Sequence, residues 1–268
     1  MRTDRASRVS LRVVALGYLG LLLFVPVGVV FWRTFEHGVG PVWSSITTPA
    51  AIHAFQLTLE VTLIAVPLNA IFGVLIALAL VRGRFPGKGL VDALIDLPFA
   101  VSPVVIGLSL ILVYGSNGWL GGWLTDHGIQ VIFALPGLVL ATTFVSLPFV
   151  AREVMPVLRE IGSDQEEAAS TLGASRWQAF WRITLPSIRI GLAYGIVLSV
   201  ARAIGEFGAV SVVSGNLAGK TQTLTLLVEQ RFQGFDVAGA YAASALLALI
   251  ALVTLAALTM LKPRSDVA

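Results

Sequence analysis

The sequence predicts an all-α membrane protein with about six transmembrane helices in a single domain, residues 1–268. Hydrophobic residues make up 56% of the chain and charged residues only 12%, whereas soluble domains carry about 25% charged residues. Apolar runs about 20 residues long, the length at which a helix crosses a bilayer, recur along the sequence. One long polar insertion, at about residues 152–189, interrupts this pattern.

The predicted transmembrane helices are the apolar runs at roughly 12–32, 57–81, 93–114, 131–151, 190–214 and 240–261. The first run follows four arginines, as the apolar core of a secretory signal would. However, its apolar part from Val13 to Phe31 is too long for such a core, and no small-residue cleavage site clearly follows it. We therefore expect an uncleaved first span.

Basic residues are distributed unevenly between the two sets of connections, and this asymmetry predicts the orientation of the chain. One set comprises both tails and the second and fourth connections, with Arg2, Arg5, Arg8, Arg12, Arg82, Arg84, Lys88, Arg152, Arg159, Arg176, Arg182, Arg189, Lys262 and Arg264. The other set holds only Arg33, Lys220 and Arg231. Because basic connections remain in the cytoplasm, both termini and the polar insertion are expected there.

The polar insertion is predicted to contain two short helices. Ser163 and Glu166 have the spacing of a capping box, so the first helix should begin at Asp164. Gly173 stands where this helix should end. Small residues within the helix would let a partner approach closely.

The second helix of the insertion is expected to follow Ser175, whose hydroxyl can cap it. Pro186 is expected to end it. One face of this helix would carry Trp177, Phe180, Trp181 and Thr184, with Arg176 and Arg182 off that face. Such a helix suits the membrane interface, with aromatic rings toward lipid and arginines toward headgroups.

Arg202 and Glu206 are charged residues inside a predicted span, four residues apart and thus on one helix face. Charges at that depth are costly, so the pair should face protein or water. It could be a structural salt bridge between helices. It could instead line an anion path in which Arg202 attracts the anion and Glu206 restrains it. Gly205 and Gly208 would let a helix approach closely beside the pair.

Ser102 precedes Pro103 in the third predicted span, where the proline interrupts the helix. Its hydroxyl could donate to an oxyanion or bond back to its own helix, and the second interpretation is favoured. Together with Arg202, Glu206 and Gly205, Ser102 completes the candidate substrate path. Further prolines allow either kinks for packing, the favoured interpretation, or breaks that line a cavity; they are Pro67, Pro98, Pro136 and Pro148.

Several chemistries are excluded by composition and spacing. The chain has no cysteine, which excludes disulfides, thiolate metal sites and cysteine nucleophiles. No nucleophile–base arrangement indicates an enzyme, and the histidines lack metal-ligand spacing; they are His37, His53 and His127. The segment 215–221 resembles a phosphate-binding loop, but only three residues separate its glycines instead of four, and it follows a membrane helix. We therefore expect no ATP site in this chain, and no nucleic-acid partner, because the arginines lie beside apolar runs rather than on a soluble domain.

The insertion also contains Glu167-Ala168-Ala169, then Gly173 and, after nine further residues, Ile183-Thr184-Leu185-Pro186. This pattern resembles, residue for residue, the EAA loop of prokaryotic ATP-binding-cassette importer permeases. The resemblance implies the type I importer permease architecture, with this loop docked as a coupling helix in a cytosolic ATPase. The residues implied for the coupling are Glu166, Glu167, Ala168, Ala169, Leu172, Gly173 and Ala174.

Segments 94–105, 147–153 and 201–215 resemble the sulfate/thiosulfate permease family, and within it the CysW-type subunit. The resemblance spans nearly the whole chain. It implies a non-catalytic, multi-pass subunit of a prokaryotic cytoplasmic membrane, without a cofactor of its own. Its implied partners are a CysT-type permease, two cytosolic ATPase subunits that bind ATP and Mg, and an extracytoplasmic sulfate-binding protein.

Three other functions remain open from the residues. Molybdate and tungstate permeases share the Gly205–Gly208 pattern and also carry a tetrahedral dianion. An ion-coupled secondary carrier could use Arg202 and Glu206 as a relay and would need no ATPase. A membrane enzyme would need an acid, base or nucleophile at the interface, and the sequence offers no such constellation.

Overall fold

The structure, a computed structural model, describes residues 5–36 and 38–261, which form helices and connections without strands. The helices are α1 (Arg5–Phe35), α2 (Val39–Ile46), α3 (Pro49–Arg82), α4 (Lys88–Ile95), α5 (Leu97–Ala100), α6 (Pro103–Tyr114), α7 (Gly121–Asp126), α8 (Leu135–Ile161), α9 (Asp164–Thr171), α10 (Arg176–Ala179), α11 (Leu185–Ile204), α12 (Gly208–Ser214), α13 (Leu224–Gln233) and α14 (Val237–Leu261). A π-helical turn, Phe180–Thr184, joins α10 to α11. His37 and the predicted tail residues Arg2, Lys262 and Arg264 lie outside the described residues.

Within the described part, five helical stretches are long and apolar enough to cross a membrane: Ser10–Phe35, Pro49–Arg82, Leu135–Ile161, Arg176–Ile204 and Val237–Thr254. The all-helical membrane fold is confirmed. Two of the six runs expected as continuous spans, 93–114 and 190–214, are instead broken helices, and α6 is the short apolar helix left from the first of them.

The two breaks have local causes. In the first, Pro98 and Pro103 each stand in the first turn of a new helix, where the missing N–H costs nothing, and Val101 is extended. In the second, α11 ends at Ile204 and α12 begins after Phe207. The apolar runs do not reveal these breaks, because the few polar residues at them, among them Ser102 and Glu206, hardly change the apolar character of a whole run.

The centre of the bundle is formed by α3, α8 and α11, which approach closely at two glycines. A Cβ atom on Gly73 of α3 would lie 2.7 Å from the Val150 Cβ, and one on Gly195 of α11 would lie 2.7 Å from the Val150 Cα. Small residues let helix backbones approach in this way, and van der Waals packing is the main force between helices in lipid. Val150 of α8 therefore packs between Gly73 of α3 and Gly195 of α11.

A buried hydrogen-bond network also joins these three helices. The Asn69 Nδ2 of α3 donates to the Ser146 Oγ of α8 at 2.8 Å and lies 3.5 Å from the Ser199 Oγ of α11. All three side chains are fully buried. In an apolar environment such bonds fix the rotation of each helix, because a turned helix would leave its polar group without a partner.

The remaining helices pack around this centre. α13 and α14 cover the first half of α3, where the Thr58 Oγ1 accepts a hydrogen bond from the Leu224 N–H at 2.9 Å. α1 lies at the edge and touches α14 through the Thr34 hydroxyl, which donates to the Tyr241 carbonyl at 3.0 Å. α6 packs on α12, and this pair lies against α8.

We expect Gly195→Val to destabilise the bundle, because the new side chain would displace the backbone of α8. Overpacking of this kind typically costs about 1–3 kcal/mol. Thermal unfolding of the full chain in detergent, followed by its elution in size-exclusion chromatography, should show a lower midpoint. Gly17→Val on α1 is the matched control, because a Cβ added to Gly17 would meet no atom within 4 Å. Equal midpoints for the two variants would contradict the packing described here.

Candidate functional site

The polar insertion contains α9, which begins at Asp164 as predicted and closes in a Schellman motif. The Ala174 N–H donates to the Ala169 carbonyl at 3.0 Å, and the Gly173 N–H donates to the Ser170 carbonyl at 3.0 Å. Gly173 has φ +85°, a conformation that side chains with a Cβ rarely adopt. The predicted helix end at this glycine is confirmed.

The start of α9 is held differently from the prediction. Ser163 makes no capping bond; its hydroxyl donates to Glu167 Oε1 at 2.6 Å. Glu166 Oε1 instead accepts from the Thr184 hydroxyl at 2.7 Å and lies 3.3 Å from Arg82 Nη2. The predicted Ser163–Glu166 capping box is wrong because Arg82 and Thr184 give this carboxylate partners outside its own helix.

Glu166 thereby ties α9 to two other parts of the fold. Arg82 is the last residue of α3, and it also donates to the Gly162 carbonyl just before α9. Thr184 is buried in the π-helical turn that leads into α11. A displacement of α9 would therefore pull directly on the ends of two central helices.

The outer surface of α9 has no partner in the described chain. Glu167 and Ala168 are exposed, and Ala169 is half-buried. Leu172, directly after the helix, is 89% exposed, although it is a large apolar residue. A Cβ on Gly173 would meet no atom within 4 Å. This surface could accept another protein without any rearrangement of the insertion.

The second helix of the insertion is capped as expected but does not end as expected. Ser175 and Gln178 form a complete capping box at the start of α10. The helix then continues through the π-helical turn and Pro186 into α11, so that Arg176–Ile204 is one helical stretch. The prediction that Pro186 ends the helix is wrong. Pro186 stands in the first turn of α11. The π-helical turn before it is wider than an α-helical turn, and there the Leu185 N–H donates to the Phe180 carbonyl.

Arg202 and Glu206 form an ion pair, although they do not share a helix. Arg202 lies in the last turn of α11, and Glu206 follows the end of that helix, so the expected common helix face is wrong. The Arg202 Nη1–Glu206 Oε2 distance is 2.6 Å. Oε2 makes no aligned hydrogen bond, so the contact is chiefly ionic. Glu206 is only 3% exposed.

The second oxygen of Glu206 stabilises the break between α11 and α12. Oε1 accepts from the Ala209 N–H at 2.8 Å, at the beginning of α12. The Glu206 carbonyl accepts from the Thr225 hydroxyl of α13 at 2.8 Å. A carboxylate at a helix N-terminus is favourable both as a hydrogen-bond acceptor and as a negative charge. Glu206 is thus a structural residue as well as the counter-ion of Arg202.

Arg202 and Ser102 line one open cavity of about 440 Å³ between the two helix breaks. The other lining residues are Pro98, Phe99, Ala100, Val101, Pro103, Val145 and Phe149. Ser102 precedes α6 and is exposed, and its hydroxyl neither caps that helix nor donates to a carbonyl within the described residues, so the bond back to its own helix is not formed there. The structure therefore brings a guanidinium and a hydroxyl that has no partner among the described residues to the same cavity.

Of the two glycines named beside the ion pair, only Gly208 lies at a close helix contact. A Cβ on Gly208 would lie 2.9 Å from the Pro103 Cβ of α6. A Cβ on Gly205 would meet only the Ala201 carbonyl oxygen of the preceding turn, at 3.4 Å, so the expectation of a close approach there is wrong. Gly205 contributes instead as the residue at which α11 ends.

Sequence reasoning assigned no role to a charged cluster one turn beyond the cavity. Arg152 of α8 bonds Asp96 at 2.7 and 2.6 Å and Asp92 at 2.8 Å, which anchors α4 and its junction with α5. Phe99 and Phe149, which line the cavity, contact each other edge to face, with ring centroids 5.4 Å apart. The available signal was the spacing of the two aspartates, four residues apart before a proline.

Comparisons with known proteins agree with this architecture. Residues 69–267 match the family model described as the binding-protein-dependent transport system inner membrane component. The chain is 52% identical over 233 residues to the sulfate transport system permease protein CysW of Synechocystis sp. (strain ATCC 27184 / PCC 6803 / Kazusa), covering 87% of this chain and 84% of that protein. It is 39% identical over 247 residues to the sulfate transport system permease protein CysT of Escherichia coli (strain K12), covering 92% and 89%.

A solved structure has the same fold. It is the crystal structure of a bacterial ABC transporter involved in the import of the acidic polysaccharide alginate, with a TM-score of 0.76 over 98% of this chain and 100% of the other, at 20% identity. This likeness concerns the fold alone. From the match over residues 69–267 and the identities to the curated relatives, the chain belongs to the family of binding-protein-dependent transport system inner membrane components.

Proposed function

We propose that this chain is a permease subunit of an ATP-driven importer that moves sulfate or thiosulfate across a prokaryotic cytoplasmic membrane. The observation that carries the proposal is α9, an exposed helix that is closed at its C-terminal end and tied through Glu166 to the end of α3 and to the turn that leads into α11. The sulfate permeases among the relatives support the choice of substrate.

In this proposal α9 docks on a separate cytosolic ATPase, which binds ATP and Mg, while this chain performs no catalysis. The exposed residues Glu167, Ala168, Leu172 and Gly173 form the docking surface. A short helix closed at its end moves as a unit, whereas a loose loop would absorb the displacement. ATP binding would then shift the permease between inward-open and outward-open states, which differ in how tightly the ATPase holds α9.

The anion would cross at the cavity that Arg202 and Ser102 line. Sulfate accepts hydrogen bonds and carries negative charge, so a guanidinium and a free hydroxyl are suitable contacts. A transported ion must also leave, and tight binding would prevent that. The contact of Arg202 with Glu206 reduces the net positive charge at the cavity and favours a weak, transient site.

A second permease subunit is supported by the surface of α3. Glu60 is exposed on this helix and forms no ion pair within the described residues. Glu60 lies one turn inside the start of the predicted span 57–81, where an ionised carboxylate that faces lipid is disfavoured. We therefore place Glu60 toward a partner subunit or a water-filled path. A CysT-type permease is the proposed partner, completed by two ATPase subunits and an extracytoplasmic sulfate-binding protein, with both termini of this chain in the cytoplasm.

The proposed substrate predicts uptake of labelled sulfate in cells whose only such importer contains this chain. Uptake should stop when the partner ATPase carries an inactive catalytic site. Excess unlabelled sulfate should compete fully and molybdate weakly. Stronger competition by molybdate would assign the chain to molybdate transport, and uptake that survives without ATP hydrolysis would indicate an ion-coupled carrier.

We expect Gly173→Val to uncouple ATP hydrolysis from uptake while the bundle stays folded. A β-branched residue at φ +85° stores about 1–3 kcal/mol of backbone strain and would open the Schellman motif. Sulfate uptake and ATPase activity of the reconstituted complex measure the effect.

Gly219→Val is the matched control for this prediction, because Gly219 also has a positive φ, +71°, and a Cβ added there would likewise enter open space. It lies in the connection between α12 and α13, away from the insertion. The control should keep hydrolysis and uptake coupled. Normal uptake by the Gly173 variant would exclude a coupling role for this helix end.

We expect Arg202→Gln to reduce sulfate uptake by about tenfold or more, the usual range for a lost charge-assisted contact. This variant also leaves Glu206 without its counter-ion, so the double variant R202Q/E206Q is needed. The double variant removes both charges, while the amide that replaces the Glu206 carboxylate keeps an oxygen for the Ala209 N–H. If the double variant transports sulfate at the parent rate, Arg202 acts only as a structural ion-pair partner.

A further inference from the structure

The arginines of the described residues fall into two groups. The first group contacts carboxylates and comprises Arg33, Arg82, Arg152, Arg202 and Arg231. Arg182 and Arg189 belong to the second group: both are exposed, and neither contacts a carboxylate or another acceptor within the described chain. The ion-pairing capacity of these two guanidinium groups is therefore unused by the fold.

These two arginines lie along one side of the helix that enters the membrane. Arg182 is in the π-helical turn, and Arg189 follows in α11. A spacing of seven residues corresponds to about two turns and roughly 10 Å along a helix axis. Next to Arg182, Trp181 is 50% exposed and touches Trp177 edge to face, with ring centroids 5.5 Å apart.

The surface changes from charged to apolar along this helix. Ile190, next to Arg189, is exposed, and α11 continues from there into an apolar span. Along the chain the exposed indoles of Trp177 and Trp181 come first, and the arginines follow, directly before the apolar span. Exposed indole rings and guanidinium groups beside the start of an apolar span are typical of the membrane interface. Guanidinium groups bind phosphate oxygens in a planar, two-pronged geometry, which distinguishes them from ammonium groups.

We propose that Arg182, Arg189 and Trp181 form a binding site for the headgroup phosphate of an anionic phospholipid. The site is distinct from α9, whose first turn holds Asp164, Glu166 and Glu167 and no basic residue. An anionic bilayer surface repels that acidic turn and attracts the arginine side of α11. The insertion thus presents α9 to a protein partner and the arginine side of α11 to the membrane. The proposed lipid site does not depend on which substrate the protein transports.

The test uses the full chain in nanodiscs of phosphatidylcholine that contain a minor fraction of lipid brominated on its acyl chains. Bromine quenches tryptophan fluorescence at short range. Brominated phosphatidylglycerol should quench more strongly than brominated phosphatidylcholine at the same fraction. Each arginine near a charged headgroup contributes roughly a fivefold preference, so the loss of both in R182Q/R189Q should reduce the enrichment of phosphatidylglycerol by roughly 25-fold. Trp181→Phe should remove most of the excess quenching.

Arg33→Gln is the control, because Arg33 is an exposed arginine near the end of α1 whose ion pair within the described residues is with Glu36. It should leave the excess quenching unchanged. Equal quenching of the parent chain by the two brominated lipids would overturn the proposal. So would loss of the excess on addition of inorganic phosphate, which would indicate a site for the free anion. In a third outcome, R182Q/R189Q keeps the excess quenching by phosphatidylglycerol but no longer co-purifies with an ATPase. This result would assign Arg182 and Arg189 to a protein interface and exclude the lipid site.

Discussion

The need to satisfy every charge and backbone group within an apolar solvent is the constraint on which this structure depends. At the break between α11 and α12, one carboxylate oxygen of Glu206 accepts from the Ala209 N–H, and the other pairs with Arg202. Removing Arg202 would leave the buried carboxylate of Glu206 without its counter-ion, whereas removing Glu206 would leave the guanidinium of Arg202 unpaired at the cavity. One glutamate therefore stabilises both the start of α12 and the cation that lines the cavity.

The same logic explains why the insertion is rigid. Glu166 could have closed its own helix, but the guanidinium of Arg82 and the buried hydroxyl of Thr184 hold it instead. A local cap would have stabilised α9 alone. The observed contacts stabilise α9 only in its position against α3 and the π-helical turn. A docked partner that moves α9 must therefore either break a charge-assisted contact or carry the ends of two central helices with it.

The sequence predicts those features that depend on neighbours in the chain. The apolar runs identify the helices, Gly173 marks the end of α9, and Ser175 marks the start of α10. The errors share a different cause. The partner of Glu166 lies 84 residues away, and the cluster of Arg152 with Asp92 and Asp96 joins segments about 60 residues apart. The break after Ile204 lies inside a run that is apolar except for Arg202 and Glu206. Nothing in local spacing distinguishes these arrangements from simpler ones, because tertiary contacts decide them.

The position of α11 connects the insertion to the cavity. Its helical stretch runs from Arg176 to Ile204 without a gap, so the distance from Thr184, which binds Glu166, to Arg202 is about 27 Å at 1.5 Å per residue. Gly195 and Gly191 press this helix against α8 between those points. A helix held closely near its middle and pulled at one end rotates about the close contact, so its far end moves in the opposite direction. Because α11 ends at Gly205 rather than continuing into α12, that motion would act on Arg202 and the cavity without dragging α12, which Gly208 holds against α6.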